Sequence, residues 1–400
     1  MANKLRMQVG RPADTDAVAA LADVIDQSFA GFGRGPEAAR QWLDRVGHEN
    51  VRVVRVGARV VGGLGILNFG QYFGGRVVSS AGITCVGVSP DVRGAGVGTR
   101  LMQATVRDLA RRGFALSVLY PSTWGLYRAV GYEPAGTRIT YELSTEKLAG
   151  HAVSGALRPA TEADHAAIHA VHERRAIATA GNVCRSDLTW QRILQSRDEH
   201  KRYVYVIESE QKRGALEGYL AYHHQHVDGP YEVVVHDHAA LTPAAGRRLA
   251  SFLASHSTMV RSVILDAGPT EPLLWLCREE NLRVRFNHFW MLRILDVRKA
   301  LCARGYPSAV RAEIHFEIED ALLKENNGRI VLKVDGGRGK VRRGGRGKLK
   351  VTIRGLAPLY TGHLSACELR MTGLIDGPDD VLCETSAVFA GPSPWMNDRF

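Results

Sequence analysis

The 400-residue sequence lacks several features that would place it in well-known classes of protein. It has no apolar run approaching the ~18 to 20 residues that cross a bilayer, so it predicts no membrane span. Its start is basic and soon polar, without the apolar segment of a secretory signal. The six cysteines are scattered and form no CxxC pair, which argues against a disulfide framework or a zinc ribbon. These absences predict a soluble protein of the reducing cytoplasm.

Acidic residues are fewer than basic ones, 41 Asp and Glu against 52 Lys and Arg, which leaves a net charge of +11 at pH 7. That balance makes a polyanionic partner worth considering. Hydrophobic residues make up 45% of the chain and charged residues 23%, so the composition excludes a disordered or fibrous protein. At about 150 residues per domain, the length predicts two to three domains.

Three segments of the chain differ in their pattern. Residues 1–150 alternate strand and helix patterns. Residues 151–295 open with Arg158–Asp164, which echoes Arg11–Asp16 and indicates a second copy of the same unit. Residues 296–400 predict a smaller mixed α+β module. The expected fold is therefore α/β, with two tandem units and an α+β domain after them.

The strongest signal is a glycine-rich stretch between a predicted strand, Val77–Val88, and a predicted helix, Leu101–Arg112. It reads Val86-Gly87-Val88-Ser89-Pro90-Asp91-Val92-Arg93-Gly94-Ala95-Gly96-Val97-Gly98-Thr99. Glycines let backbone amides close around an anion, and a helix N-terminus adds partial positive charge. The stretch therefore predicts a pyrophosphate site, although a purely structural turn between strand and helix is the other interpretation.

Two familiar nucleotide loops do not fit this stretch. Gly94, Gly96 and Gly98 miss the Rossmann spacing by one residue, and no acidic residue is suitably placed after the next strand. A Walker lysine is also absent. The pattern V-x-V-x-P-x-x-R-x-x-G-x-G resembles the pyrophosphate loop of the GNAT acetyltransferases. The acetyl-CoA contacts that this resemblance implies are Val86, Gly87, Val88, Arg93, Gly94, Ala95, Gly96, Val97, Gly98, Thr99, Ser122 and Thr123.

The segment Leu119–Tyr132 supplies a candidate proton donor. Acetyl transfer to an amine needs a neutral attacking amine and a protonated or stabilised leaving thiolate. In GNAT domains this segment passes the sulfur of the cofactor, and the resemblance implies that Tyr127 is the donor. Tyr132, which Glu133 and Pro134 follow, is interpreted as an aromatic residue that packs on the sheet.

The whole chain resembles the Eis (enhanced intracellular survival) family of N-acetyltransferases. The resemblance rests on the loop above, on Y-R-x-V-G-Y, on Trp290–Val297 and on the aromatic C-terminus. It implies that 1–150 is an acetyl-CoA-binding GNAT domain, that 151–295 is a degenerate second one that shapes the acceptor pocket, and that 296–400 resembles a sterol carrier domain. It also implies a homohexamer.

The same resemblance implies an unusual base, the C-terminal carboxylate of Phe400, in the site of the first domain. It further implies acidic contacts to a cationic acceptor, for which Asp26 is at a plausible position on the first predicted helix. Where family members often have a second arginine after the one that matches Arg93, this chain has Gly94, so phosphate binding is expected to depend more on backbone amides.

Two further patterns, a group of histidines and a basic glycine-rich segment, are not expected to have a function in binding. Histidines at 223, 224, 226, 236 and 238 alternate on predicted strands and could ligate zinc, but no cysteine or carboxylate cluster accompanies them, so no metal is expected. Arg338–Lys348 resembles an RGG segment, yet its interior has no aromatic residue for base stacking. We predict that Gly336–Gly347 is a solvated turn between strands and that nucleic acid is not the partner.

The sequence therefore predicts an enzyme that transfers acetyl from acetyl-CoA to a primary amine by direct attack in a ternary complex. The acceptors that the resemblance implies are aminoglycosides, polyamines and lysine side chains. Two alternatives stay open: a non-enzymatic protein that binds nucleic acid or lipid through its C-terminal region, and a GNAT enzyme that uses another acyl-CoA.

Overall fold

The computed structural model describes residues 6–29, 35–148, 155–196, 200–226, 229–280 and 282–400. The elements of the first unit are β1 Met7–Gly10, α1 Thr15–Ser28, α2 Pro36–Val46, β2 Val51–Val56, β3 Arg59–Phe73, β4 Arg76–Val88, α3 Val97–Arg111, β5 Leu116–Leu119, α4 Trp124–Arg128 and β6 Glu133–Ser144. None of the helices among the described residues is long and apolar enough to cross a membrane.

The elements of the second unit follow a similar order of strands and helices. They are β7 Leu157–Pro159, α5 His165–Ile177, β8 Val183–Cys184, α6 Asp187–Leu194, β9 Tyr203–Glu208, β10 Leu216–His226, β11 Tyr231–Ala240, α7 Pro243–Ala254, β12 Val260–Ala267 and β13 Leu282–Ile294.

The C-terminal domain is smaller. Its elements are α8 Val297–Ala303, β14 Ala312–Glu319, β15 Gly328–Asp335, β16 Arg338–Arg343, β17 Leu349–Thr352, α9 Ile353–Thr361, α10 Ala366–Arg370, β18 Ile375–Asp376 and α11 Asp379–Phe389.

Local sequence explains the helices that carry the site. The carboxylate of Asp14 accepts the backbone N–H of Ala17 at 2.8 Å and starts α1, whose apolar residues at helical spacing, among them Leu21 and Ile25, are buried. Helix α3 likewise buries Leu101 and Val106. It begins four residues earlier than the sequence predicts, so the last glycine of the loop already belongs to its first turn.

A single 13-stranded sheet runs through both units in the order β1-β2-β3-β4-β5-β13-β6-β12-β11-β10-β9-β7, and β8 pairs with β3 beside this path. Strand β13 belongs to the second unit by sequence but lies between β5 and β6. Strand β6 of the first unit in turn pairs with β12. The units therefore exchange one strand each, which makes their sheets continuous and fixes their relative position.

The C-terminal domain contains a five-stranded sheet in the order β16-β15-β14-β17-β18. The predicted turn over Gly336–Gly347 is wrong, because its central half, Arg338–Arg343, forms strand β16, which pairs with β15 from Asp335–Arg338 to Ile330–Arg343. An edge strand needs apolar or small residues on its covered face only. Gly339 and Val341 meet that need, while the basic residues between them face solvent.

Candidate active site

Parallel strands β4 and β5 separate at their C-terminal ends. They pair from Ser80–Leu116 to Gly82–Val118, and β4 then continues to Val88 without β5. Cys85 marks a bulge in β4, with one extra residue relative to β3 and a φ of 53°. The carboxyl ends of strands in open α/β sheets are where ligands bind. The separation therefore leaves an opening where a ligand could enter the sheet.

The turn that follows β4 is held on its outer side by an exposed ion pair. Arg59 donates to Asp91 at 2.6 Å and to the hydroxyl of Ser89 at 2.9 Å. The hydrogen bond from Arg59, with a second from Ser89, lowers the pKa of Asp91. These contacts fix the start of the glycine-rich loop without using its inner amides.

The loop itself presents an open helix N-terminus. Gly94 and Gly96 both have a φ of 81°, a conformation that glycine adopts readily. Gly96 is the N-cap of α3 and no side chain caps it among the described residues, so the first-turn amides lack an intrahelical acceptor. Arg93 lies exposed beside them, its Nε 3.4 Å from the carbonyl of Val88. The sequence-predicted residues from Arg93 to Thr99 thus form one surface suited to phosphate.

A cavity of about 740 Å³ lies beside the end of the β4–β5 pairing. Among the described residues it is lined by Phe29, Ala38, Gln41, Trp42, Arg45, Ile83, Thr84, Cys85, Val86, Leu119, Tyr120, Ser122, Tyr127, Gln191, Arg192, Gln195, Arg399 and Phe400. The lining unites residues of the first unit, helix α6 of the second unit and the C-terminus.

The cavity brings together only part of the sequence-predicted set. Val86, Ser122, Tyr127 and Phe400 line it, whereas Thr123 and the residues from Gly87 to Thr99 do not. Asp26 is also absent from the lining. Its Oδ1 is buried on α1 with no hydrogen-bond partner in the described part of the chain.

Tyr127 is a buried phenol that keeps its proton at neutral pH. It lies on the short helix α4, is 3% exposed and packs against Tyr132 with ring centroids 6.2 Å apart. Burial raises its pKa to about 12, although a hydrogen bond with Ser122 acts in the opposite direction. The phenol is therefore protonated at neutral pH and can give its proton to a leaving thiolate.

Cys85 also lines the cavity, but its environment disfavours a thiolate. Burial raises its pKa to about 11, against smaller opposing contributions from Thr84 and Trp42. The thiol is therefore protonated at neutral pH and is a poor nucleophile.

The C-terminal residue is packed against the first unit. The ring of Phe400 lies 5.3 Å from that of Phe69 and 6.1 Å from that of Tyr120, between centroids. The Tyr120 hydroxyl donates to the carbonyl of Met396 at 2.7 Å. A Cβ on Gly82 would come within 2.9 Å of the Phe400 ring, so the ring sits over the last residue of β4 that pairs with β5.

A buried ion cluster, which sequence reasoning missed, anchors the segment before Phe400 in the second unit. Arg185, with its side chain 1% exposed, pairs with Asp237 and donates to Asp398 at 2.8 Å. Asn397 adds a 3.0 Å hydrogen bond to Asp237. No local pattern signals this cluster, because its members come from distant parts of the chain.

The histidines of the second unit pack with one another. Nδ1 of His223 lies 2.6 Å from Nε2 of His236, and the ring of His200 lies 4.6 Å from that of His223, between centroids. No group of three or more His, Cys, Asp or Glu residues within the described ranges is arranged to hold a metal ion.

Comparison with protein families matches each part of the chain. Two models described as acetyltransferase (GNAT) domains match residues 10–135 and 181–294, and one described as a sterol carrier protein domain matches 297–397. N-acetyltransferase Eis from Mycobacterium tuberculosis is 27% identical over 388 residues, which cover 92% of this chain and 93% of that protein.

Solved structures agree with the sequence comparison. A GCN5-related N-acetyltransferase from Anabaena variabilis is 33% identical, has a TM-score of 0.93 and aligns over 99% of this chain and 100% of its own. One from Kribbella flavida is 28% identical with a TM-score of 0.86, over 98% of each chain. The chain therefore belongs to the GCN5-related N-acetyltransferases, has two acetyltransferase domains before a sterol-carrier-type domain, and is similar to Eis over most of its length.

Proposed function

We propose that the protein transfers the acetyl group of acetyl-CoA to a primary amine by direct attack within a ternary complex. The observation that carries this proposal is the cavity shared by Tyr127 and Phe400 at the end of the β4–β5 pairing. An N-acetyltransferase needs a proton donor and a proton acceptor that both reach the reacting atoms, and this cavity contains a candidate for each.

Acetyl-CoA is the first substrate. The uncapped amides of the α3 N-terminus, with Arg93, suit its pyrophosphate. Backbone groups of Val86 and the carbonyl of Val88 at the end of β4 would extend the sheet with the amides of the pantetheine arm, whereas the N–H of Val88 already donates to the Ser28 hydroxyl at 3.2 Å. Ser122 and Thr123 stand between β5 and α4, beside Tyr127. This arrangement points the thioester toward the cavity.

The attacking amine loses a proton and the leaving thiolate gains one, and the cavity offers a candidate partner for each transfer. The neutral amine attacks the thioester carbonyl, the C–N bond forms, and the C–S bond breaks. The leaving thiolate takes the phenolic proton of Tyr127, and the phenolate then regains a proton from water. The proton that the amine loses passes to the carboxylate of Phe400 and on to water. A free α-carboxylate has an ordinary pKa of about 3.5, so its main contribution is to orient the ammonium and relay the proton.

The wider proposal follows the family resemblance. The acceptor classes are aminoglycosides, polyamines and lysine side chains, with Asp26 as a substrate contact, and no metal takes part. The protein is proposed to be a cytoplasmic homohexamer that binds neither a membrane nor nucleic acid.

The test is thiol release from acetyl-CoA with a panel of aminoglycosides, polyamines and lysine peptides. Wild type, Tyr127→Phe and a Phe400 deletion are assayed side by side, with propionyl-CoA as a second donor. We expect amine-dependent release in the wild type and its loss in both variants. Activity that survives the deletion would remove the C-terminal base. Release only from propionyl-CoA would indicate a different acyl group, and no release from either donor by folded protein would contradict the proposal.

A further inference from the structure

The charged side chains of the cavity are positive, whereas a pocket that binds polycations is expected to have negative ones. The charged side chains among its described lining residues are Arg45, Arg192 and Arg399, no Asp or Glu accompanies them there, and the α-carboxylate of Phe400 is the one negative group that the proposed mechanism adds. The three arginines come from α2, from α6 and from the C-terminal tail. They therefore converge from separate elements on one volume.

None of the three has a carboxylate within 4 Å among the residues that the structure describes. Arg192 is partly buried and lies over the ring of Trp42, 5.0 Å from its centroid. Burial lowers the pKa of Arg192, and the charges of Arg45 and Arg399 act in the same direction against that of Asp398. The like charges are thus close enough to act on one another.

A partly buried guanidinium with no carboxylate in direct contact is unfavourable, because it has lost water and the charge of Asp398 acts on it only from a distance. The planar fork of arginine matches a carboxylate, to which it can donate two parallel hydrogen bonds. A ligand carboxylate would satisfy this need. A polyamine or an aminoglycoside would instead bring further positive charge into the same low-dielectric volume.

We propose that the acceptor is a primary amine that also carries a carboxylate, bound through Arg192 with Arg45 and Arg399 beside it. This inference rests on the proposed N-acetyltransferase activity, and it replaces the aminoglycosides and polyamines that the family resemblance implies with acceptors that carry a carboxylate. Phe29 and Trp42 line the same cavity and offer an apolar surface to the body of such a molecule. The positive field also lowers the pKa of the acceptor ammonium and so favours the neutral, nucleophilic amine.

The experiment compares acceptors that differ only at the carboxylate. One set is lysine, lysinamide and cadaverine, and the other is phenylalanine, phenylalaninamide and phenethylamine, each assayed by thiol release from acetyl-CoA. For the wild type we expect kcat/KM for the carboxylate to exceed that for the amide by about tenfold or more, since charge-assisted hydrogen bonds to arginine are the stronger kind.

Substitutions of the arginines test whether these residues cause the preference for a carboxylate over an amide. Arg192→Gln should reduce the ratio of carboxylate to amide to about one, and Arg192→Lys should keep part of it because the charge remains. Arg45→Gln provides a second, exposed position with a smaller expected loss. Arg283→Gln, whose side chain is 80% exposed on β13, is the control and should leave the ratio unchanged.

The outcomes separate this inference from the proposed function. If amides and diamines are acetylated as well as the carboxylates or better, the acceptor inference is overturned while the N-acetyltransferase proposal stands. An unchanged ratio in Arg192→Gln would overturn the role of Arg192. If no amine of either set or of the wider panel is acetylated, both proposals fail.

Discussion

The two acetyltransferase units differ at the helix that follows the strand beside the gap, α3 after β4 in the first unit and α7 after β11 in the second. In the first unit, Gly96 starts α3 and leaves its amides uncapped. In the second unit, Thr242 starts α7, and its hydroxyl accepts the N–H of Ala245 at 3.1 Å. Pro243, which has no N–H, occupies the first turn. The same helix end is thus open to an anion in one unit and closed by its own residues in the other.

The gaps between the parallel strands differ in the same way. Pairing of β11 with β12 ends at Val235–Leu265, and beyond it the chain fills the space with its own groups. Arg175 donates to the carbonyl of His238 at 2.9 Å and pairs with Glu271. The corresponding gap in the first unit borders a cavity. The proposed binding site therefore lies where the polar groups of the fold are left without partners, whereas the corresponding groups of the second unit are paired.

The largest expected effect comes from the cluster that joins the units. Arg185→Met would leave Asp237 and Asp398 buried without their cation, and breaking a buried pair in this way costs about 3–5 kcal/mol. Guanidinium-induced unfolding should show this loss. We also expect kcat to fall about tenfold or more, since the segment that holds Phe400 is released. Arg111→Met, at a side chain 78% exposed, is the control, and equal unfolding free energies for the two variants would contradict the anchoring role.

Tyr127→Phe tests the chemistry assigned to the first unit. We expect kcat to fall about 100-fold, the usual size of a lost general acid, with little change in KM for acetyl-CoA. Because the pKa of Tyr127 is raised to about 12, the wild type should show no loss of kcat from phenol deprotonation below about pH 11. Tyr231→Phe, on the exposed end of β11, serves as control. A Tyr127→Phe variant with wild-type kcat would require another donor.

Glu271→Gln tests whether the gap between β11 and β12 contributes to stability alone and not to acetyl-CoA binding. Burial would raise the pKa of Glu271, but Arg175 and His238 outweigh it and lower the pKa to about 2 from 4.5. A depressed carboxyl pKa stabilises the fold above pH 4.5, and this stabilisation is lost as the pH falls toward 2. The shift corresponds to about 3 kcal/mol.

Unfolding curves at pH 7 and pH 3 measure this contribution. Glu271→Gln should lower the free energy of unfolding at pH 7 by about 3 kcal/mol and weaken its decline in acid, with acetyl-CoA kinetics unchanged. The exposed Glu279→Gln is the matched control. A changed KM for acetyl-CoA in the Glu271 variant would assign a binding role to the second unit.

The smallest effect is expected in the loop. A Cβ at Gly96 meets no atom within 4 Å, so Gly96→Ala adds backbone strain alone, at a φ of 81°. That strain costs about 1 kcal/mol and should weaken acetyl-CoA binding about fivefold. Gly214→Ala carries similar strain, at a φ of 76°, in the turn before β10. Equal acetyl-CoA affinities for the two variants would contradict the role of the loop.

Sequence reasoning succeeds where the signal is local. The pattern from Val86 to Thr99 predicts a strand, a glycine turn and a helix, and the structure has all three. The family resemblance and the α/β fold with a sterol-carrier-type domain are also confirmed. Gly336–Gly347 was misread because an edge strand with Gly339 and Val341 on its covered face has almost no apolar pattern.

Sequence reasoning fails where contacts are distant. The exchange of β6 and β13 between the units was not predicted, since the periodicity of a strand carries no information about which strands are its neighbours. Arg185 before α6 and Arg192 within it look like ordinary surface residues in the sequence, and only the fold brings them to Asp398 and to the cavity. A C-terminus is usually frayed, so the packing of Phe400 could be expected from the family resemblance alone.

Calorimetric titration of acetyl-CoA into the full chain tests most directly the difference between the two units. With an open α3 and a capped α7, the account predicts one binding site per chain, weakened by Gly96→Ala and unaffected by Glu271→Gln. Two sites per chain, or one site that the Gly96 variant leaves unchanged, would contradict it.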